Sequence, residues 1–306
     1  MSIREVISNH RDPGARRQRF LSNLGACMFV APHGIGLILF VIIPIIMTAV
    51  LSLFEWDLIS SPRFAGLASY ARIISDPMFW NSAKNTVVFT LGTVPTGVVL
   101  ALLLALLVDN RLKGIVLFRS AMFMPVLSSW VVVAMIWRWL YNPQFGLINR
   151  ILSVFGVTGP AWLSDLRWAM PAVIITTVWK FLGYNMIIYL AGLQGVPDAY
   201  YEAASIDGAN WWQRLWYITI PLLSPVTFFI TVVSLIGAFQ AFPQFYMMTR
   251  GGPARCTNVI VYYIYENAFL WFKMGYASAL AWVLFLVVFG LTLLQWRLQS
   301  RWVQYD

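Results

Sequence analysis

The sequence predicts an all-α integral membrane protein with about six transmembrane helices, and three observations carry that prediction. Of 306 residues, 60% are hydrophobic and 11% are charged, against roughly 25% charged in an ordinary soluble domain, so a bilayer must be the main solvent. The apolar residues gather into six long stretches that are almost free of Asp, Glu, Lys and Arg, and a spanning helix needs about 20 such residues. Those stretches are continuous instead of alternating in polarity at every second position, which excludes a β-barrel.

The first stretch, residues 20–54, follows an amino-terminal segment, residues 1–19, in which Arg16, Arg17 and Arg19 cluster. It is far longer than the apolar part of a signal peptide, so it is expected to remain as a helix. Leu24-Gly25-Ala26-Cys27 resembles a lipoprotein cleavage box only superficially, because the apolar run follows the cysteine instead of preceding it. The next stretches are 85–108, 120–137, 168–197 (interrupted only by Lys180), 215–249 and 274–296, which leaves a tail at 297–306. At about 1.5 Å per residue the first and fifth are longer than a bilayer core, so bends are expected at Pro32, Pro44, Pro225 or Pro243. Residues 256–265 are apolar but too short to span, and read as an amphipathic segment on the surface.

A formal charge of +9 is spread over 21 Lys and Arg scattered between apolar runs. A nucleic-acid partner would need a dense basic face, so this charge reads as positive residues kept on the cytoplasmic side. Placing the amino terminus inside puts 11 Lys and Arg in cytoplasmic segments and nine in outer loops, which favours an N-in, C-in arrangement. Trp and Tyr near the ends of the runs, among them Trp56, Tyr141, Trp162 and Trp271, are expected at headgroup level. The two cysteines, Cys27 and Cys256, and the isolated His10 and His33 form no metal-ligand spacing.

Residues 196–221 interrupt the apolar pattern and read as helix, turn, helix. Pro197 suits a helix start, Asp198 and Glu202 favour its positive end, and Ala203, Ala204 and Ser205 keep its surface small. Asp207-Gly208 then ends the helix, with glycine free to take a left-handed cap. Asn210 and Gln213 have capping-box spacing, and Pro221 closes the second helix, which carries Trp211, Trp212, Trp216 and Tyr217. A loop with a small-residue face is shaped to enter a partner's cleft.

Glu202-Ala203-Ala204, then Gly208, then Ile218-Thr219-Ile220-Pro221 resembles the EAA motif of binding-protein-dependent ABC importer permeases, with Ile220 in place of the motif's leucine. Further similarity to the carbohydrate-importing members lies in Phe64-Ala65-Gly66-Leu67 with Tyr70, Asp76 and Phe79-Trp80, in Phe118-Arg119 with Pro125, in Leu190-Ala191-Gly192-Leu193-Gln194, and in Gly251-Gly252-Pro253. The resemblance covers most of residues 30–295, and its features are similar to those of maltose and glycerol-3-phosphate permeases. It implies a permease domain over 20–296, inside a bacterial or archaeal cytoplasmic membrane, that forms half of a pathway for a sugar-like solute. It also implies three kinds of partner: a second permease, a pair of ATP-binding-cassette ATPase subunits docked on the EAA loop, and an external solute-binding protein. ATP and Mg would be used by the ATPase, since this sequence has no Gly-x-x-x-x-Gly-Lys-Ser/Thr loop to cradle phosphates. Glu202, Ala203, Ala204, Asp207, Gly208, Ile218 and Pro221 would form the coupling contact.

Lys180 is the only charged residue within a predicted span, and such a residue needs a partner subunit, backbone carbonyls or cargo to satisfy it. Tyr184 shares its helical face at i+4, while Asn185 lies off that face. Gln240, Gln244 and Tyr246 sit among Phe239, Phe242 and Phe245, and amides interleaved with aromatic rings suit sugars. These six polar residues are the candidate substrate pathway. Two rival classes are a secondary transporter, which would usually show internal repeats or several coupled intramembrane acids, and a membrane glycosyltransferase, which would need clustered Asp, Glu or His. The sequence shows none of these features.

Overall fold

The computed structural model describes residues 28–109, 114–300 and 303. The amino-terminal segment 1–19, the start of the first stretch with its cleavage-box residues, the loop cations Arg111 and Lys113 and half of the tail lie outside the described residues. Among the described residues four helices are long and apolar enough to cross a membrane, or six if each of two bent pairs counts as one span.

The four are α1 (Met28–Leu51), α3 (Pro77–Val108), α7 (Ala169–Gln194) and α13 (Met274–Gln299). Helix α1 runs continuously through Pro32 and Pro44, where bends were expected, with a π-helical turn at Ile38–Ile42 just before Pro44. A two-strand hairpin follows, pairing Phe54 with Phe64 and Glu55 with Arg63, and then the short α2 (Ala68–Ser75).

Helix α3 begins eight residues before the charge-free stretch suggested. Asp76 caps it by accepting from the Met78 amide at 2.9 Å, and Pro77 sets its first turn. Its 32 residues reach about 48 Å, well beyond a hydrocarbon core of about 30 Å, so the exposed Lys84 in its second turn need not enter the bilayer.

The stretch 120–137 is two helices and not one. α4 (Ile115–Leu127) and α5 (Trp130–Leu140) meet at 103°. Pro125 weakens the end of α4 and Ser129 caps α5 through the Val132 amide. The fifth stretch also breaks, at 61° between α9 (Trp211–Leu222) and α10 (Ser224–Phe239). Pro225 and Pro243 start new helices, the latter beginning α11 (Pro243–Met248) after the irregular residues 240–242.

Helices α3 and α7 form the centre and run parallel: Gly92 packs on Ile174, and farther along Gly97 faces Asn185. Ala101 and Ala105, both fully buried, let α3 approach Met186, Tyr189 and Leu193. Around Phe89, Val173 and Phe245 a second cluster closes the other end. It contains Tyr141 and Trp162, whose rings pack inside the protein. The Tyr141 hydroxyl donates to Ala172 O at 3.1 Å, and the Trp162 indole donates at 2.6 Å to Asn149 Oδ1 of the short α6 (Leu147–Val154).

Residues 256–265 do not lie on the surface. Val259, Ile260, Tyr262 and Tyr263 of this segment, which leads into α12 (Ile260–Tyr265), are each at most 6% exposed. A polar stripe on α3 satisfies its backbone: Asn85 donates to the Arg255 and Asn258 carbonyls at 2.9 and 3.0 Å, and Thr86 Oγ1 accepts from the Ile260 amide at 3.0 Å. Buried irregular backbone requires such partners. At the same end, Asp76 accepts from both Tyr263 and Tyr276 hydroxyls at 2.6 Å, tying α3 to α12 and α13. Burial alone would raise the Asp76 carboxyl above its ordinary range, but these donors outweigh it and hold it below.

Candidate functional site

The parallel α3 and α7 give the molecule two distinct ends. Their amino-terminal ends carry the Asp76 cluster and the segment around Arg255; their carboxyl-terminal ends lead to residues 196–221. Between the two ends lies a cavity of about 370 Å³.

The cavity is lined by Phe89, Thr93 and Gly97 of α3, Trp130 of α5, Phe181, Tyr184 and Asn185 of α7, and by Gln240 before and Gln244 within α11. It is built where helices break, because a continuous helix fills its length with side chains while a broken one leaves space and free polar groups. Among the described residues no Asp, Glu, Lys or Arg lines it. Aromatic faces and amides are the chemical content of its wall, and its size falls within the range of about 300–1,000 Å³ usual for small-molecule sites.

Four of the six sequence-predicted pathway residues line this space: Tyr184, Asn185, Gln240 and Gln244. Asn185, a pathway candidate placed off the face of Lys180, belongs to a lining stripe that runs Thr177, Phe181, Tyr184 and Asn185, an i, i+4, i+7, i+8 pattern. Tyr246 points elsewhere and stacks on Phe242 at 5.3 Å between centroids. Lys180 is 3% exposed and does not line the cavity. Its ammonium donates to the carbonyls of Ser128 at 2.7 Å, Pro125 at 3.0 Å and, weakly, Val126 at 3.5 Å. Of the three partners open to it from sequence, backbone carbonyls are the one it takes. Sequence reasoning missed Phe89, Thr93, Gly97 and Trp130. The i, i+4 pair of Thr93 and Gly97 inside an apolar run was an available signal.

At the other end, α8 (Asp198–Ile206) and α9 enclose a tight turn. Pro197 stands just before the helix, as its N-cap. Gly208 adopts φ +76°, its amide donates to Ser205 O, and the Ala209 amide donates to Ala204 O at 2.9 Å, which is a Schellman termination. Asn210 and Gln213 form a reciprocal capping box. Leu215 and Thr219 are buried and root the loop, while Glu202, Ala203, Asp207 and Gly208 are exposed. Ile218 and Pro221 are half-buried, and the second helix continues one residue past Pro221 before it bends. Trp211, Trp212, Trp216 and Tyr217 each leave at least 59% of their surface open.

Broken spans around an uncharged cavity, with an exposed helix-turn-helix at one end, define a solute-translocating membrane subunit. Among the described residues no group of three or more His, Cys, Asp or Glu is placed to hold a metal. Residues 86–304 match the family described as "Binding-protein-dependent transport system inner membrane component", and the chain belongs to that family. It is a multi-pass permease subunit of an ATP-binding-cassette importer.

Among its relatives, the probable ABC transporter permease protein YesP of Bacillus subtilis is 36% identical over 93% of each chain. The lactose transport system permease protein LacF of Rhizobium radiobacter is 37% identical, covering 88% of this chain and 91% of the other. The sn-glycerol-3-phosphate permease UgpA of Agrobacterium fabrum is 37% identical over 80% and 84%. In fold, the chain matches a subunit of a bacterial alginate ABC transporter with a TM-score of 0.83, covering 93% and 96% at 22% identity.

Proposed function

We propose that this chain forms one half of the import pathway for a neutral saccharide or polyol derivative in a bacterial or archaeal cytoplasmic membrane. The uncharged, aromatic and amide-lined cavity carries the reading: sugar C–H faces stack on rings while hydroxyls need donors and acceptors. The relative named for lactose, a neutral disaccharide, supports the sugar class. An anionic cargo would leave a charge desolvated without a counter-ion in such a cavity, which favours a neutral one. A second permease would complete the pathway, an external solute-binding protein would deliver cargo, and a pair of ATPase subunits using ATP and Mg would dock on residues 196–221. Nucleotide binding in those subunits would supply the differential free energy that shifts the permease between outward-open and inward-open states.

Solute-stimulated ATP hydrolysis of the reconstituted assembly tests the cargo class. Neutral saccharides or polyols should stimulate it, and Gln244→Leu should raise the KM about three- to tenfold, the worth of one uncharged hydrogen bond. Stimulation only by peptides, metals or amino acids would remove the sugar assignment.

Orientation is tested separately. In a cysteine-free background, Ser60→Cys should react with a membrane-impermeant maleimide in sealed cells, whereas Ser205→Cys should react only after permeabilisation. The native Cys256 is a poor reporter, because it is half-buried and burial pushes its thiol up, so little reactive thiolate forms. Labelling of Ser205→Cys in sealed cells would reverse the assignment.

A further inference from the structure

Lys180 sits where a buried cation is expensive, yet its three donors meet backbone oxygens at one place, the corner between α4 and α5. The last carbonyls of any helix lack intrahelical partners, and the negative end of the helix dipole favours a cation. At this corner both needs are met from outside, by α7. The approach is possible because Gly183, one turn beyond Lys180, has no side chain: a Cβ there would stand 1.9 Å from Met122 O.

The corner also sets the cavity wall. Trp130 is the first residue of α5 and lines the cavity. Its ring lies 5.2 Å from the Lys180 ammonium and 6.1 Å from the ring of Phe181, which lines the cavity too and is itself 5.8 Å from the ammonium. One cation therefore holds the carbonyls before the corner and faces the ring just after it.

We infer that Lys180 is a positioning residue: by capping the end of α4 from the neighbouring helix, it fixes the Trp130 and Phe181 wall of the cavity, and it does not bind cargo through its charge. The ammonium's donors are already directed at carbonyls, so none remains for a solute. The effect on uptake rests on the cavity being the cargo site; the effect on the wall does not, and it can be measured without any cargo.

The test uses the assembled importer in a cysteine-free background with Tyr184→Cys as reporter in the cavity. The probe is methyl methanethiosulfonate, which is neutral. Lys180→Met keeps the apolar stem and removes the cap, and it should raise the labelling rate at least fivefold as the wall loosens. Loss of a nearby cation would by itself lower thiolate content, so a rise cannot come from the charge. Lys180→Arg, which retains cationic donors, should stay within twofold of the parent, and Ser205→Cys on the distant loop should label equally in all variants. Trp130→Leu should raise the reporter rate as Lys180→Met does, and the double variant should add little, as expected of one coupled unit. Should Lys180→Met fail to assemble, Lys180→Gln, which is shorter, uncharged and cannot span the same three carbonyls, is read in its place with the same expected rise. An unchanged reporter rate in the assembled variant, or full additivity with Trp130→Leu, would overturn the inference. A changed reporter rate with no change in saccharide KM would keep the positioning role and count against the cavity as the cargo site.

Discussion

Replacing Gly183 with valine should prevent the permease from reaching its folded state in useful yield. A Cβ at this position would meet Met122 O at 1.9 Å, Met122 C at 2.4 Å and Phe123 N at 2.9 Å. All three are backbone atoms, so no rotamer change relieves the clash, and α4 must move away from α7. Overpacking usually costs about 1–3 kcal/mol, and here the shift also pulls α4 away from the Lys180 cap, so the effect should lie at or above the top of that range. Gly290→Val is the matched control, because a Cβ there meets nothing within 4 Å. Yield of monodisperse solubilised protein and its thermal midpoint should fall sharply for Gly183→Val and stay near the parent for Gly290→Val.

Glu202→Ala should leave membrane insertion intact and sharply reduce retention of the ATPase. Glu202 is exposed on α8 beside Ala203, and it makes no salt bridge within 4.0 Å among the described residues. If a partner cation buries it, removing the carboxylate strands that cation at a typical cost of about 3–5 kcal/mol, whereas an exposed pair would contribute about 1 kcal/mol or less. The larger figure corresponds to a loss of two or more orders of magnitude in affinity. Gly208→Val should act similarly for a different reason. The left-handed conformation at φ +76° disfavours a β-branched side chain, and the Schellman turn that sets the two short helices would be strained. Asp198→Ala, at the start of α8, should be milder. ATPase copurification at matched permease levels measures all three. Parent-like retention in Glu202→Ala would move the coupling contact to Asp207 or to the aromatic face of α9.

Hydropathy located the helices because the bilayer imposes a simple length rule, and it misplaced what that rule does not see. Lys84 hid the first turns of α3, since a charge-free criterion cannot allow for a helix longer than the membrane is thick. The 103° corner between α4 and α5 has only Pro125 and two serines as its sequence trace, and serines are common in straight spans. Residues 256–265 looked like a surface segment because their partners, Asn85 and Thr86, lay in a different apolar run. Lys180 was visibly a residue needing explanation, but its partners are carbonyls, and carbonyls have no sequence signature. Gln240 and Gln244 were legible as a spaced pair; Pro243 signalled a break near them, but not that the break would turn Tyr246 away from the cavity and onto Phe242. The turn at Gly208 and the capping box at Asn210 were legible in full, because caps are local and depend on the identity of a few adjacent residues.

Uptake energetics in proteoliposomes test the central claim most directly. The complete assembly, with solute-binding protein and saccharide on one side and ATP on the other, should accumulate the saccharide only while ATP is hydrolysed, and it should do so without an ion gradient. Accumulation that persists without ATP and follows an imposed proton or sodium gradient would contradict the account.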